Sequence, residues 1–124
     1  MDCSECSQKS LDKKPTRYFS KRQETRVGKD LGLRVQANSG ATEFQKGDLK
    51  DEHLLVECKT IVRPQKQRTI EKEWLTKLKE EQVSMRKDLS ALVFDFGDGE
   101  QYVALTMQDF KNLYECYKEI NGQV

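Results

Sequence analysis

Apolar positions in this chain recur with two periods, every second residue in short runs and every third or fourth in longer ones, and the alternation of the two sets out the elements. Neither period is present from Met1 to about Phe19, so residues 1–19 read as a polar extension and residues 20–124 as the folded domain. Ser20 with Gln23 three residues on has the spacing of a capping box and predicts a helix to about Leu31, stopped by Gly32. Leu33 to Ala37 alternates as a strand, Asn38-Ser39-Gly40-Ala41 reads as a turn, and Thr42 to Lys46 as loop. Asp48-Leu49-Lys50 and Leu54 to Lys59 predict an antiparallel hairpin joined by the polar turn Asp51-Glu52-His53. Beyond the break at Arg63-Pro64-Gln65, Thr69 is placed to cap a long helix to about Lys87, with Ile70, Trp74, Leu75, Leu78 and Met85 as its apolar stripe. Leu89 to Phe96 is strongly strand-forming, Gly97-Asp98-Gly99 turns the chain, and Gln101 to Leu105 returns as a partner strand. Thr106 with Asp109 opens a closing helix to Ile120, and Gly122 follows it.

The order α-β-β-β-α-β-β-α predicts an α/β fold, a mixed central sheet with helices packed on it. Trp74 is expected to anchor the core, Cys58 to pack below the sheet, and Cys116 to join the core with Leu113 and Tyr117. A chain of 124 residues builds one core, and with 35% of residues charged that core is small. Such a domain gains from a homodimer interface, for which Leu89 to Phe96 and Gln101 to Leu105 offer an edge or a face. No apolar run approaches the ~18 residues of a membrane-spanning helix. Met1 to Ser10 lacks the apolar stretch of a secretion signal, so the expected location is cytoplasmic, with thiols reduced.

Net charge is only +1, but the charges are segregated. Lys9, Lys13, Lys14, Arg17, Lys21, Arg22, Arg26, Lys29 and Arg34 face only Asp12, Glu24 and Asp30, and Arg63, Lys66 and Arg68 lie in a stretch free of acids. Acids gather in Glu71 to Glu81 and again in Asp95 to Glu119. This pattern suits a phosphate-binding face and an acidic back, although solvated basic stretches would look the same.

The hairpin carries the chemistry. In a strand Leu55, Glu57 and Lys59 share one face, with Glu57 and Lys59 ~6.6 Å apart along it. An antiparallel partner puts Asp48 opposite Val56 or Glu57, at about 4.5–5.5 Å. Carboxylates that close repel unless a cation lies between them, and a hard divalent ion, Mg²⁺ or Mn²⁺, fits oxygen ligands. The plain alternative is a charged hairpin on a solvated face, since Glu-X-Lys is a common tripeptide.

Gly47-Asp48, Glu57-X-Lys59, the upstream helical Glu24 and Ser39-Gly40 between them resemble the PD-(D/E)XK nucleases, and among these the archaeal-type and phage-encoded Holliday junction resolvases. The resemblance runs from about Ser20 to Phe110. Gly47 stands where the family pattern has Pro, a turn position without chemistry, and the low net charge is a second departure. The resemblance implies a restriction-endonuclease-like core in which Asp48, Glu57 and the backbone carbonyl of Cys58 hold Mg²⁺, with Mn²⁺ able to replace it. Lys59 would orient or deprotonate the attacking water, Glu24 would steady the metal's water shell, and Ser39 would bond a phosphate. Lys21, Arg22, Arg26, Arg63, Lys66 and Arg68 would contact DNA, and Lys77 and Gln82 would line the cleft. The implied activity is a structure-specific endonuclease on branched or four-way-junction DNA in recombination, repair or phage DNA processing, acting as a homodimer. Nicking, end-processing or restriction-type cleavage of duplex DNA, and a non-catalytic DNA-binding module, are the alternatives.

Cys3-X-X-Cys6 has zinc-knuckle spacing but supplies two of the four ligands a structural site needs, and neither Cys58, Cys116 nor His53 is spaced to complete it. Zn²⁺ is therefore not expected within one chain; Cys3 and Cys6 from two subunits together would supply four ligands. His53, in the hairpin turn, reads as a polar turn residue within reach of DNA.

Overall fold

A computed structural model describes residues 16–35 and 48–122. The elements are α1 (Thr16–Leu31), β1 (Arg34–Val35), β2 (Leu49–Lys50), β3 (Leu54–Lys59), α2 (Lys72–Ser84), β4 (Leu89–Asp95), β5 (Gln101–Ala104) and α3 (Met107–Gly122). The strands form one mixed, open sheet in chain order, β1-β2-β3-β4-β5. All pairs are antiparallel except β3–β4, which run parallel from Leu54↔Leu89 to Lys59↔Phe94 and are joined by the crossover helix α2. The expected α/β class and element order therefore hold at this level.

Strand alternation decides which helix each residue meets. Leu49, Val56, Cys58, Ala91 and Val93 point to one side of the sheet and pack with Val27 of α1 and with Leu33. Leu55 and Leu92 point to the other and pack with Leu78, backed by Ile70, Trp74, Leu75 and Met85. β4, covered on both sides, reads as a continuous apolar run for that reason. It lies between β3 and β5, so of the two strands offered as a dimer edge, Leu89 to Phe96 is interior to the sheet and Gln101 to Leu105 holds the open edge among the described residues.

Several boundaries differ from expectation. α1 begins at Thr16, directly after Pro15, a residue favoured at helix starts. Thr16 to Phe19 thus belong to the helix, Ser20 caps nothing, and Gln23 points inward. α2 begins at Lys72, with Glu71 at its cap position and no side-chain cap bond, while Thr69 stays upstream. It stops at Ser84 because Arg86 adopts a left-handed φ of +56°, letting Lys87 N–H reach back to the Gln82 carbonyl at 2.9 Å and Arg86 N–H to that of Val83. In α3, Cys116, Leu113 and Tyr117 are exposed and not part of the core.

The β4–β5 turn is locked from below. Buried Asp95 accepts from the Thr60 hydroxyl at 2.8 and 2.9 Å, from Gly97 N–H at 3.1 Å and from Gln101 Nε2 at 3.1 Å. Gly97 sits at φ +82°, and a Cβ there would lie 2.7 Å from the Arg63 carbonyl oxygen. Both the backbone angle and the space demand glycine. Gly97→Ala is therefore expected to cost about 1–3 kcal/mol, read as a fall in thermal midpoint; an unchanged midpoint would show that the turn relaxes freely.

Candidate active site

β2 is short, and what happens where it ends creates the site. Register pairs Leu49 with Val56 and Lys50 with Leu55, so Asp48, one residue further out, comes opposite Glu57. Asp48 N–H donates to the Val56 carbonyl at 2.9 Å. Two residues on, the ladder bond that a longer β2 would have made is supplied by a side chain: Cys58 N–H donates to Asp48 Oδ2 at 2.7 Å. A strand residue directs N–H and C=O to the same edge, so the Cys58 carbonyl faces the side on which the Asp48 carboxylate lies.

Glu57 and Lys59 point to the α2 side of the sheet. Lys59 Nζ lies 3.7 Å from Glu57 Oε1 and 5.0 Å from the centre of the Trp74 ring. With Glu73, Trp74, Lys77, Leu78 and Glu81 of α2 they line a cleft of about 300 Å³. Trp74 thus serves both as packing partner and as wall of the cleft.

α1 brings Glu24 against Asp48 from the opposite side. Its position is held by Gln23, 4% exposed, whose Nε2 donates to the Lys59 carbonyl at 3.0 Å and to Gln101 Oε1 at 2.9 Å. The capping pattern around Ser20 gave Gln23 a different job; the signal that points inward is its place one helical turn before Val27.

The acids perturb one another. Burial, then the charge of Asp48 and a hydrogen bond with it, push the Glu24 carboxyl up to about 7 despite Lys21 and Arg17 nearby. Burial and the Asp48 charge likewise push Glu57 up to about 7, against the pull of Lys59. Burial raises Asp48 too, opposed by the Cys58 amide and by Glu24, Lys59 and Glu57. The Cys58 thiol, buried on the α1 side, is held neutral by burial and the surrounding carboxylates. Among the described residues no three His, Cys, Asp or Glu side chains gather closely enough to hold a metal ion by themselves. The carboxyls meet in pairs, Glu24 with Asp48 and Asp48 with Glu57. A pair with a carbonyl beside it fits Mg²⁺, which keeps most of its waters and binds through one or two carboxylates plus substrate phosphate.

The predicted DNA contacts divide. Lys21, Arg22, Arg26, Arg63 and Lys66 are exposed, and Arg22 and Arg26 line a second crevice with Phe19, Thr60 and Gly99. Arg68 is instead part of the framework: Nη1 donates to the Lys59 carbonyl at 3.2 Å and the Asp95 carbonyl at 2.6 Å, and the guanidinium lies over Trp74 and Phe94. Lys77 lines the cleft, whereas Gln82 is buried away from it, bonded to Ser90, Lys79 and the Lys87 carbonyl. His53 is exposed and bonded to Asp88 at 2.8 Å, which raises its pKa. Ser39, Gly40, Gly47, Cys3 and Cys6 lie outside the described residues. No helix among the described residues is long and apolar enough to cross a membrane. No protein-family model matches the sequence, and neither a curated protein nor a solved structure matches it.

The raised carboxyls set a pH dependence. Glu24 and Glu57 ionise near 4.5 when unfolded and near 7 when folded, so between these values the folded chain binds more protons. Their contribution is fully present below about 4.5 and lost as pH rises to about 7. Without metal, the thermal midpoint should fall over that window, and Asp48→Asn should flatten the fall and raise the midpoint at pH 8. Equal pH profiles for parent and variant would show that the carboxyls do not interact.

Proposed function

We propose that this chain is a Mg²⁺-dependent DNA endonuclease that hydrolyses phosphodiester bonds in branched DNA such as four-way junctions, built on the restriction-endonuclease-like plan of the PD-(D/E)XK nucleases. One observation carries the reading: Asp48 and Glu57 stand side by side where β2 ends, with the Lys59 ammonium 3.7 Å from Glu57. The parallel β3–β4 pair crossed by α2, with an antiparallel hairpin bearing the acids, is compatible with that core.

The cleft explains the need for a cation. Glu57, Glu73 and Glu81 outnumber Lys59 and Lys77 there, so a phosphate would be repelled until positive charge is added. Asp48, Glu57 and the Cys58 carbonyl would hold Mg²⁺, with Mn²⁺ as substitute; when bound, the ion supplies a Lewis acid and an activated water. The Cys58 amide fixes the Asp48 carboxylate in place. Glu24 hydrogen-bonds Asp48, and the two carboxyls perturb each other's protonation. Lys59, steadied by Glu57 and the Trp74 face, sets positive charge beside the scissile phosphate and orients the attacking water. Lys21, Arg22, Arg26, Arg63 and Lys66 would contact the backbone of the DNA, and paired cuts on a junction would draw on the two sites of a homodimer.

Incubation with Mg²⁺ and four-way-junction, flap, single-stranded and plain duplex DNA tests this directly. Junction cleavage is expected to stop with EDTA, and Asp48→Asn or Lys59→Ala to lower its rate by about 10²–10³-fold or more while DNA binding survives. An Asp48→Asn rate equal to the parent's would overturn the reading. Cleavage of duplex or flap alone would favour a nicking or end-processing enzyme, and binding without cleavage a non-catalytic module.

Affinity for DNA should fall steeply with salt, and Lys66→Ala should weaken it without sequence preference or loss of thermal stability. Arg68→Ala, by contrast, should lower the thermal midpoint, because its bonds join the ends of β3 and β4. Salt-independent binding would remove the basic face from the account.

A further inference from the structure

A row of aromatic side chains continues from the cleft across the sheet. Register sets Lys59 of β3 beside Phe94 of β4, and Phe94 beside Tyr102 of β5, so the three stand in one line across the strands. Neighbouring strands are ~4.8 Å apart, which puts Tyr102 ~10 Å from Lys59. Phe96, two residues beyond Phe94, joins the row. Ring centres lie 5.9 Å apart for Phe94 and Tyr102, 5.6 Å for Phe96 and Tyr102, and 5.9 Å for Phe94 and Phe96. The Phe94 and Tyr102 planes are 28° from parallel, a stacked pair. Packing on the sheet accounts for Phe94 and Phe96, which are half-buried. It does not account for Tyr102, which is 46% exposed on the edge strand.

Positive charge borders this row. The segment from Thr60 to Ile70 holds Arg63, Lys66 and Arg68 and no acid. It runs against the rings: Gln65 N–H donates to the Phe96 carbonyl at 2.9 Å, and the Arg68 guanidinium lies 5.8 Å from the centre of the Phe94 ring. Lys66, between Gln65 and Arg68 in the chain, is exposed. Rings take the bases of an unpaired strand, and cations beside them take its phosphates.

We propose that Phe94, Phe96 and Tyr102 form a stacking platform for the unpaired bases of single-stranded nucleic acid, with Lys66 meeting the phosphates of the same strand. Tyr102 extends the stack to an incoming base. A plain duplex gains nothing there, because its bases are already stacked on one another. An apolar peptide would fit the rings but leave the neighbouring cations without an anion to meet. Lys59 stands in the same row, so a strand leaving the cleft would pass directly onto the platform. The inference concerns binding without metal and holds whether or not the cleft cuts DNA.

The test is affinity for fluorescein-labelled oligothymidylate, measured by anisotropy in EDTA at low salt, with circular dichroism confirming that each variant is folded. The parent is expected to bind the single strand. Tyr102→Ala should weaken that binding about 10-fold or more, whereas Tyr102→Phe, which keeps the ring, should bind as the parent does. Affinity for plain duplex should change little in either variant. Ultraviolet crosslinking of an iododeoxyuridine-bearing strand to the parent, located by mass spectrometry, requires no variant to fold and should fall on Tyr102, Phe94 or Phe96. A parent that binds no single strand overturns the proposal and leaves the rings to a peptide. A folded Tyr102→Ala chain with the parent's single-strand affinity overturns it as well, as do crosslinks confined to other segments. Equal losses for single strand and duplex would also overturn it, because the ring would then serve DNA binding in general.

Discussion

The hydrogen bond from the Cys58 amide to the Asp48 carboxylate, 2.7 Å long, joins the end of the sheet to the acidic cluster beside it. β2 is too short to complete its ladder with β3, and a buried amide left without a partner is costly. A side chain completes it. The acid that does so is thereby held opposite Glu57, and α1 adds Glu24 on its other side. Carboxyls held in pairs, Glu24 with Asp48 and Asp48 with Glu57, at the expense of their own ionisation form a centre that is more stable with a proton bound. Structural closure of the sheet edge and assembly of the acidic centre are one interaction.

The helices serve that centre from a distance. Gln23 bonds the Lys59 carbonyl from α1 and Arg68 bonds the same oxygen from the segment before α2, so the end of β3 is held from both faces of the sheet. These are polar residues in framework roles, and their neighbours Glu24 and Lys59 carry the candidate chemistry. α2 divides its surface in two. Glu73, Trp74, Lys77 and Glu81 line the cleft, while Leu75, Thr76, Lys79 and Val83 line a separate apolar groove that Thr106 borders.

Where expectation and structure part, the cause is a contact that no local pattern encodes. Ser20 and Gln23 satisfy the capping spacing, yet Gln23 turns inward, where the Lys59 carbonyl at the end of β3 lies within its reach. Arg68 sits in a basic stretch that looks like a phosphate contact, but two carbonyls and two aromatic faces claim its guanidinium. Leu113, Cys116 and Tyr117 have the spacing of a core stripe, and they stay in water because the Lys79–Asp109 ion pair orients α3 outward.

Periodicity alone determined the order of elements, the hairpin, and the face shared by Leu55, Glu57 and Lys59, because strand alternation follows from backbone geometry and needs no distant partner. It also narrowed the residue facing Asp48 to Val56 or Glu57, since a short turn leaves little choice of register, and the observed pairing of Leu49 with Val56 sets Asp48 beside Glu57. The tertiary structure decided that Glu24 meets Asp48, that Cys58 lends its amide to the site, and that β4 is central and α3 uncovered. Those outcomes depend on which surfaces are in reach after the sheet forms, and reach between residues far apart in the chain is a property of the packed molecule.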